Sequence, residues 1–203
     1  MIAIIDYNMG NLQSVINACE SVGMSARLES DPDKIKEYDK AILPGVGAFK
    51  DAMEHLHVRG MDAAVREYAS SGKPLLGICL GMQLLFDKSE EFGISDGLGL
   101  VPGKVVEFDV SRFENRLKVP HMGWNELFVQ KQSPLFKGLD DAFYLYFVHS
   151  FHAVTEDKYA IGKTTYGYEF VSAVQKDNVY GIQPHPEKSH DNGLKILKNF
   201  IDL

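Results

Sequence analysis

Residues 77–81 read Gly77-Ile78-Cys79-Leu80-Gly81, a cysteine framed by glycines at the end of an apolar run that begins at Leu75. This is the form of a nucleophile elbow. The backbone turns sharply from strand into helix, the close approach of its neighbours demands glycine, and one side chain is lifted to the helix N-terminus. Free N–H groups and the positive end of the helix dipole favour the thiolate there, which is the nucleophilic form of cysteine. Taken alone, the pentapeptide also fits a small buried hydrophobe in a strand. The other cysteine, Cys19, lies on the apolar stripe of an amphipathic stretch with no glycine or polar neighbour to activate it, and it reads as core.

A nucleophile needs a base, and among seven histidines His185 stands out, in Gln183-Pro184-His185-Pro186-Glu187 just after the apolar run 179–183. Two residues apart in an extended segment, His185 and Glu187 point to one side, so the carboxylate could fix the imidazole tautomer while the other ring nitrogen faces a thiol. The flanking prolines hold the segment extended. A surface histidine in a proline-rich turn is the alternative. His55 and His57 fall in a charged helical stretch and read as solvated, and His190 lies near the cap of the last helix. Pro44-Gly45-Val46-Gly47 follows the apolar run 41–43 and could offer the Gly47 N–H to a developing oxyanion, with the Leu80 N–H as second donor. Alone, such a segment is equally a plain turn.

Groups so far apart in sequence must be gathered by a scaffold. Residues 2–5 are a continuous run of β-formers, followed by the turn-rich Asp6-Tyr7-Asn8-Met9-Gly10-Asn11 and then by Leu12, Val15, Ile16, Cys19 and Val22 at helical spacing before Gly23. The runs 41–43 and 75–78 repeat the pattern, and strands without alternation are buried on both faces, as in a parallel sheet. The first half therefore predicts β/α alternation with ligand-sized loops at the C-terminal ends of the strands. Past residues 96–103 the chain turns to shorter β-rich stretches at 105–108, 143–154, 160–166, 170–175 and 179–183, a more antiparallel region. A helix over 191–201, apolar at Leu194, Leu197 and Ile201, closes it. With no internal repeat and no linker, a single domain over 1–203 is expected.

Composition sets outer limits. A chain of 203 residues, 45% hydrophobic and 24% charged, is long enough for a substantial core and is of ordinary globular make-up. With 21 basic against 28 acidic residues the net charge is −7, which repels phosphate backbones and anionic lipid, so neither nucleic acid nor membrane is expected as a partner. No apolar run approaches the roughly 20 residues of a membrane helix, and Met1-Ile2-Ala3-Ile4-Ile5-Asp6 lacks the basic start of a signal peptide. Two cysteines exclude a disulfide framework. A soluble, cytoplasmic protein is expected. There is no phosphate-binding loop and no metal-ligand cluster in the sequence, so no cofactor and no metal are expected.

Taken together, PGVGAF at 44–49, GICLGMQ at 77–83 and HPE at 185–187 resemble the class I (triad) glutamine amidotransferases. The resemblance implies a single flavodoxin-like α/β domain, its central sheet mostly parallel and flanked by helices, that releases ammonia from L-glutamine. It implies Cys79 as nucleophile, His185 as general base and acid, Glu187 as orienting carboxylate, Gly47 and Leu80 as oxyanion donors, and Gln83 as a substrate contact. A narrower resemblance, over essentially the whole chain, is carried by Asp6-Tyr7-Asn8-Met9-Gly10-Asn11-Leu12, Val119-Pro120-His121-Met122-Gly123-Trp124-Asn125 and Tyr146-Phe147-Val148-His149-Ser150-Phe151. These look like the glutaminase subunits of imidazole glycerol phosphate synthases in histidine biosynthesis. That likeness implies a heterodimer with a cyclase subunit, a β/α barrel of the HisF type, which uses the ammonia to make imidazole glycerol phosphate and an aminoimidazole carboxamide ribotide. It places Met122, Trp124, Asn125, Tyr146 and Lys188 at or near the partner interface, with Trp124 in a Gly/Pro loop, and Glu91, Ser150 and Phe151 around the head group of the glutamine. Two positions depart from the pattern: Pro184 stands where an aromatic is usual, and Phe151-His152 replaces a more tyrosine-rich pair. Neither departure falls on a catalytic side chain.

Two rival readings stay open on sequence alone. A glutaminase feeding another synthase, such as one that amidates a sugar, would carry much the same motifs. A cysteine peptidase-like or inactive binding module on the same scaffold would need neither Gln83 nor the PHMGWN segment.

Overall fold

The computed structural model of the chain describes residues 1–114 and 116–203. In chain order the elements of the first part are β1 (Ile2–Ile5), α1 (Leu12–Ser21), β2 (Ala26–Glu29), β3 (Lys40–Leu43), α2 (Phe49–Val58), α3 (Met61–Ser70), β4 (Leu75–Ile78) and the short α4 (Leu80–Leu84). Then follow β5 (Phe86–Ser89), β6 (Ser95–Asp96), β7 (Val101–Glu107), β8 (His121–Val129), β9 (Ala142–His149), β10 (Phe151–Val154), β11 (Ala160–Tyr166), β12 (Tyr168–Lys176), β13 (Val179–Ile182) and α5 (His190–Ile201).

Among the described residues thirteen strands join one sheet, whose main path runs β2-β1-β3-β4-β13-β12-β10-β7-β5-β6. From β2 to β13 every pairing is parallel. From β13 through β12 and β10 to β7 the pairings are antiparallel, β7 then pairs parallel with β5 and β5 antiparallel with β6, and β8, β9 and β11 form an antiparallel branch through β12. The division falls where the sequence pattern changes, and the continuous apolar runs are the strands buried on both faces. Ile2 and Ile4 of β1 pack with Val15, Ala18 and Cys19 of α1 and Ile196, Leu197, Phe200 and Ile201 of α5. Ala3 and Ile5 pack on the other face with Phe49 and Leu56 of α2 and Met61 and Val65 of α3. Burying each large aliphatic or aromatic side chain is worth about 1.5–3 kcal/mol, so a helix on each face holds the parallel strands flat against one another. Buried Asn199 of α5 donates to the Leu135 and Lys137 carbonyls at 3.0 and 2.8 Å, which fixes α5 to the segment between β8 and β9 without an unpaired amide.

Several segments differ from the sequence expectation. The segment carrying Trp124 is not a loop: residues 121–129 form the nine-residue strand β8, paired with β9 in the register His121 to His149 and Trp124 to Tyr146. Pro120 and Gly123 masked it, and so did its inward face, which begins with histidine and asparagine instead of aliphatic residues. The stretch 143–154 breaks at Ser150 into β9 and β10, which pair with different neighbours. Strand β7 starts at Val101, inside the Gly/Pro-rich stretch, and β2, β5 and β6 carry charged or short polar sequences that give no apolar run.

Candidate active site

Cys79 sits between β4 and α4 with φ 55° and ψ −113°, a left-handed conformation that costs a non-glycine residue on the order of 1–3 kcal/mol. Its surroundings impose it. The Cys79 N–H donates to the Ile182 carbonyl of β13 at 2.8 Å, and a Cβ on Gly81 would collide with the Leu43 carbonyl at the end of β3. The elbow is thus gripped by the strands on either side of β4. Helix α4 is only five residues long, so what it offers Cys79 is the N–H groups of its first turn more than a long macrodipole.

His185 approaches from the segment after β13. Its Nδ1 lies 2.7 Å from Glu187 Oε1, and both side chains are nearly sealed from solvent at 3% and 2% exposure. A carboxylate oxygen accepts, so Nδ1 carries the proton and Nε2 is the nitrogen left for Cys79. Nε2 has no hydrogen-bond partner, nor has Glu187 Oε2. Burial pushes the imidazole toward its neutral form, but the Cys79 sulfur and the Glu187 carboxylate outweigh burial and raise its pKa to about 10. Both neighbours therefore favour the protonated ring, which carries hydrogen on Nε2 as well as on Nδ1. The backbone of His185 is fixed through β9: its N–H donates to the Tyr146 carbonyl at 2.9 Å, and Ser189 Oγ bridges the His185 carbonyl and the Tyr146 N–H at 2.6 and 2.9 Å.

A cavity of 470 Å³ opens between these groups, lined by Gly47, Cys79, Leu80, Gln83, Glu91, Ser150, Phe151 and His185, together with Val46, Phe92, Val148 and His149. Glu187 stands behind His185. Gly47 has φ +99°, a conformation that favours glycine. The loop before it is held by Tyr7, whose hydroxyl donates to the Pro44 carbonyl at 2.8 Å and is raised in pKa by burial and by nearby Cys79. Gln83 Nε2 donates to the Phe151 carbonyl at 3.1 Å and to Gln183 Oε1 at 3.0 Å, while Gln183 Nε2 lies 3.8 Å from Cys79 Sγ. Glu91 has a structural duty as well: its Oε2 accepts from the Phe49 N–H at 2.7 Å and so ties down the start of α2. Burial lifts its carboxyl above the usual range, against the opposing pull of that N–H.

Met122 and Trp124 point outward from β8 and are exposed, as is Lys188 in the turn after His185. The Trp124 indole stacks on His190 at 5.1 Å with the ring planes nearly parallel, and meets Tyr146 edge-on at 6.1 Å. Asn125 differs from its neighbours, because strand alternation turns it to the opposite face. There its Nδ2 bonds the Thr165 carbonyl at 2.9 Å and His121 Nε2 at 3.2 Å. Cys19 is fully buried in the α1 core, where burial, then Glu20 and Glu187, push its thiol up to about 12. Sequence reasoning gave no role to His121, His149 and His152, which are buried beside the cavity around Phe108. The cross-strand register of β8 and β9 was the signal that could have found the first two. Among the described residues no group of three or more His, Cys, Asp or Glu side chains is arranged to hold a metal ion, and no helix is long and apolar enough to cross a membrane.

Comparison with known proteins gives a consistent picture. The family model for class-I glutamine amidotransferases matches residues 3–203. The chain is 68% identical to the imidazole glycerol phosphate synthase subunit HisH of Sulfurimonas denitrificans, over 98% of this chain and 97% of that one. It is 59% identical to the same subunit of Wolinella succinogenes over the whole of both. Among solved structures, a chain of PurLQS from Thermotoga maritima superposes with a TM-score of 0.78 at 21% identity, covering 99% of this chain and 97% of the other. A glutamine amidotransferase crystal structure gives 0.74 at 18% identity, over 96% and 95%. At such identities these structures attest the fold alone.

Proposed function

The chain belongs to the class I glutamine amidotransferases, enzymes that hydrolyse glutamine, and from that premise we propose that it is the glutaminase subunit of an imidazole glycerol phosphate synthase, acting in histidine biosynthesis with Cys79, His185 and Glu187 as its triad. One observation carries the residue assignment: the strained Cys79 and the His185–Glu187 pair, 2.7 Å apart, meet at one cavity with Gly47, Leu80 and Gln83 on its wall.

Cys79 Sγ attacks the carboxamide carbon of glutamine, and the negative charge that develops on the oxygen is taken up by the N–H groups of Gly47 and Leu80. His185 gives its Nε2 proton to the departing nitrogen, and ammonia leaves a thioester on Cys79. His185 then takes a proton from water and keeps it, the hydroxide adds to the thioester carbon, and collapse of the adduct releases glutamic acid, which ionises to glutamate, and restores the Cys79 thiolate beside protonated His185. Glu187 holds the Nδ1–H tautomer throughout. Gln83, Glu91, Ser150 and Phe151 surround the amino-acid part of the substrate.

A synthase subunit has a partner. We assign that partner as a cyclase of the HisF-type β/α-barrel class, docking over Met122, Trp124, Tyr146 and Lys188. The support is position: Tyr146 supplies the carbonyl that fixes the His185 backbone, so a protein seated here would sit directly over the ammonia-producing group. The inward-facing Asn125 would support this surface from behind. The whole described chain serves as one amidotransferase domain, and two free cysteines, one of them the nucleophile, suit a reducing cytoplasm. The test is Cys79→Ala. Glutamate release is expected to fall by roughly 10⁴-fold or more, while cyclase product formation from ammonium salts by the reconstituted pair survives. Glutamine hydrolysis by the folded variant would remove Cys79 from the mechanism.

A further inference from the structure

Beside the cavity runs a chain of buried polar groups that the mechanism does not use. His149 Nδ1 lies 2.8 Å from the Phe151 carbonyl oxygen, His149 Nε2 lies 3.0 Å from His121 Nδ1, and His121 Nε2 lies 3.2 Å from Asn125 Nδ2. The direction of every bond follows from one fact. A carbonyl can only accept, so His149 Nδ1 carries the hydrogen. Burial drives His149 and His121 to their neutral forms, with pKa values lowered to about 3 and about 4. A neutral ring has one N–H, so His149 Nε2 is a bare acceptor, His121 Nδ1 must donate to it, and His121 Nε2 must accept from Asn125. Both rings are thus held as the Nδ1–H tautomer, the less favoured one for a histidine free in water. His121 is also clamped flat between Phe147 and Tyr166, at ring distances of 4.8 and 4.1 Å.

The chain ends on an oxygen with a second duty, since the Phe151 carbonyl also receives Gln83 Nε2 at 3.1 Å. We propose that His121 and His149 are positioning residues for glutamine hydrolysis: with Asn125 they form a one-way hydrogen-bond chain across β8 and β9 that fixes the Phe151 carbonyl, and through it the Gln83 side chain on the cavity wall. The proposal rests on the reading of the cavity as a glutamine site. It gives the inward face of β8 a task separate from that of its outward face, where Trp124 stands.

Two measurements on the full chain decide it. With ¹⁵N-labelled histidine, NMR of the wild-type protein is expected to show both rings as neutral Nδ1–H tautomers from about pH 5 to 8, with His121→Phe and His149→Phe assigning the signals. An Nε2–H tautomer at either ring, or titration near the ordinary histidine value, overturns the proposal. In glutamine kinetics, His149→Phe is expected to raise KM about tenfold with kcat changed by less than about threefold. His149→Asn, whose amide nitrogen stands near the place of Nδ1, is expected to restore KM to within about threefold of wild type. A folded His149→Phe with wild-type KM, or an Asn variant no better than the Phe variant, sinks the positioning role while leaving the glutaminase reading intact. Wild-type protein that releases no glutamate, alone or with a cyclase, sinks the glutaminase reading itself.

Discussion

On the parallel side of the sheet, β1, β3 and β4 are apolar on both faces, and what reaches the cavity from there comes from the turns at the strand ends: Gly47, Leu80 and the strained Cys79. On the antiparallel side the interior holds His121, His149, His152, Thr164 and Ser172, all buried and all hydrogen-bonded, and what reaches the cavity is positioned side chains and the Phe151 carbonyl. A hydrophobic layer tolerates volume-conserving exchange, whereas a buried polar network must be satisfied throughout or it becomes a liability. The rigid side thus carries the group whose geometry is strained, and the networked side carries the groups whose protonation matters.

That contrast can be broken most sharply at its polar end. His185→Asn is expected to lower kcat/KM for glutamine by roughly 10³-fold, whereas Glu187→Gln, which still accepts from Nδ1–H, is expected to lose only about 10²-fold. Equal, wild-type rates in both would detach the pair from the chemistry. Acid is the next lever. His121 and His149 titrate near 6.5 when unfolded but at about 4 and about 3 when folded, so their contribution to stability is complete above pH 6.5 and is lost as pH falls toward those folded values. Urea midpoints are expected to drop between about pH 7 and pH 5, with a slope of up to roughly 1.4 kcal/mol per pH unit for each histidine, and to drop less in His149→Asn. A flat profile would mean that the network is not neutral.

Trp124→Ala tests the outward face of the same hairpin. Stimulation by a cyclase of about 100-fold needs only ~2.7 kcal/mol of differential stabilisation, within the reach of one oxyanion hydrogen bond. The variant is expected to lose at least about tenfold of that stimulation in glutamate-release assays, and undiminished stimulation would move the interface elsewhere. The smallest effect belongs to the parallel side: Cys19→Ala is expected to cost on the order of 1 kcal/mol in urea unfolding and to leave turnover intact. A large loss of turnover in the folded variant would show that the apolar layer also shapes the chemistry.

The legibility of the two sides from sequence follows the same division. The strands at 2–5, 41–43, 75–78 and 179–182 announce themselves because burial on both faces leaves little room for polar residues, and Cys79 and His185 are legible because glycine and proline mark the turns that hold them. Strand β8 reads poorly from sequence because its inward positions open with His121, Gly123 and Asn125, while the apolar Met122, Trp124 and Phe128 face outward, so the usual link between apolar period and buried face is inverted. Asn125 groups with Trp124 only in a segment without alternation; in a strand the two side chains face opposite ways. The histidine chain required the β8–β9 register, which pairs residues 28 positions apart.

The place of β13 in the sheet has a consequence for how the enzyme is made. It lies between β4 and β12, yet Gln183 beside it follows Cys79 by 104 positions. On the ribosome the layers around β1, β3 and β4 emerge early, with the edge of β4 open at what will become the middle of the sheet, a template for mispairing until the late strand arrives. Closing so long a loop is slow compared with local helix formation. The same event supplies the Ile182 carbonyl that receives the Cys79 N–H, and it brings His185 to the cavity. Nascent or C-terminally truncated chains therefore carry Cys79 without the strand and the histidine that complete its surroundings.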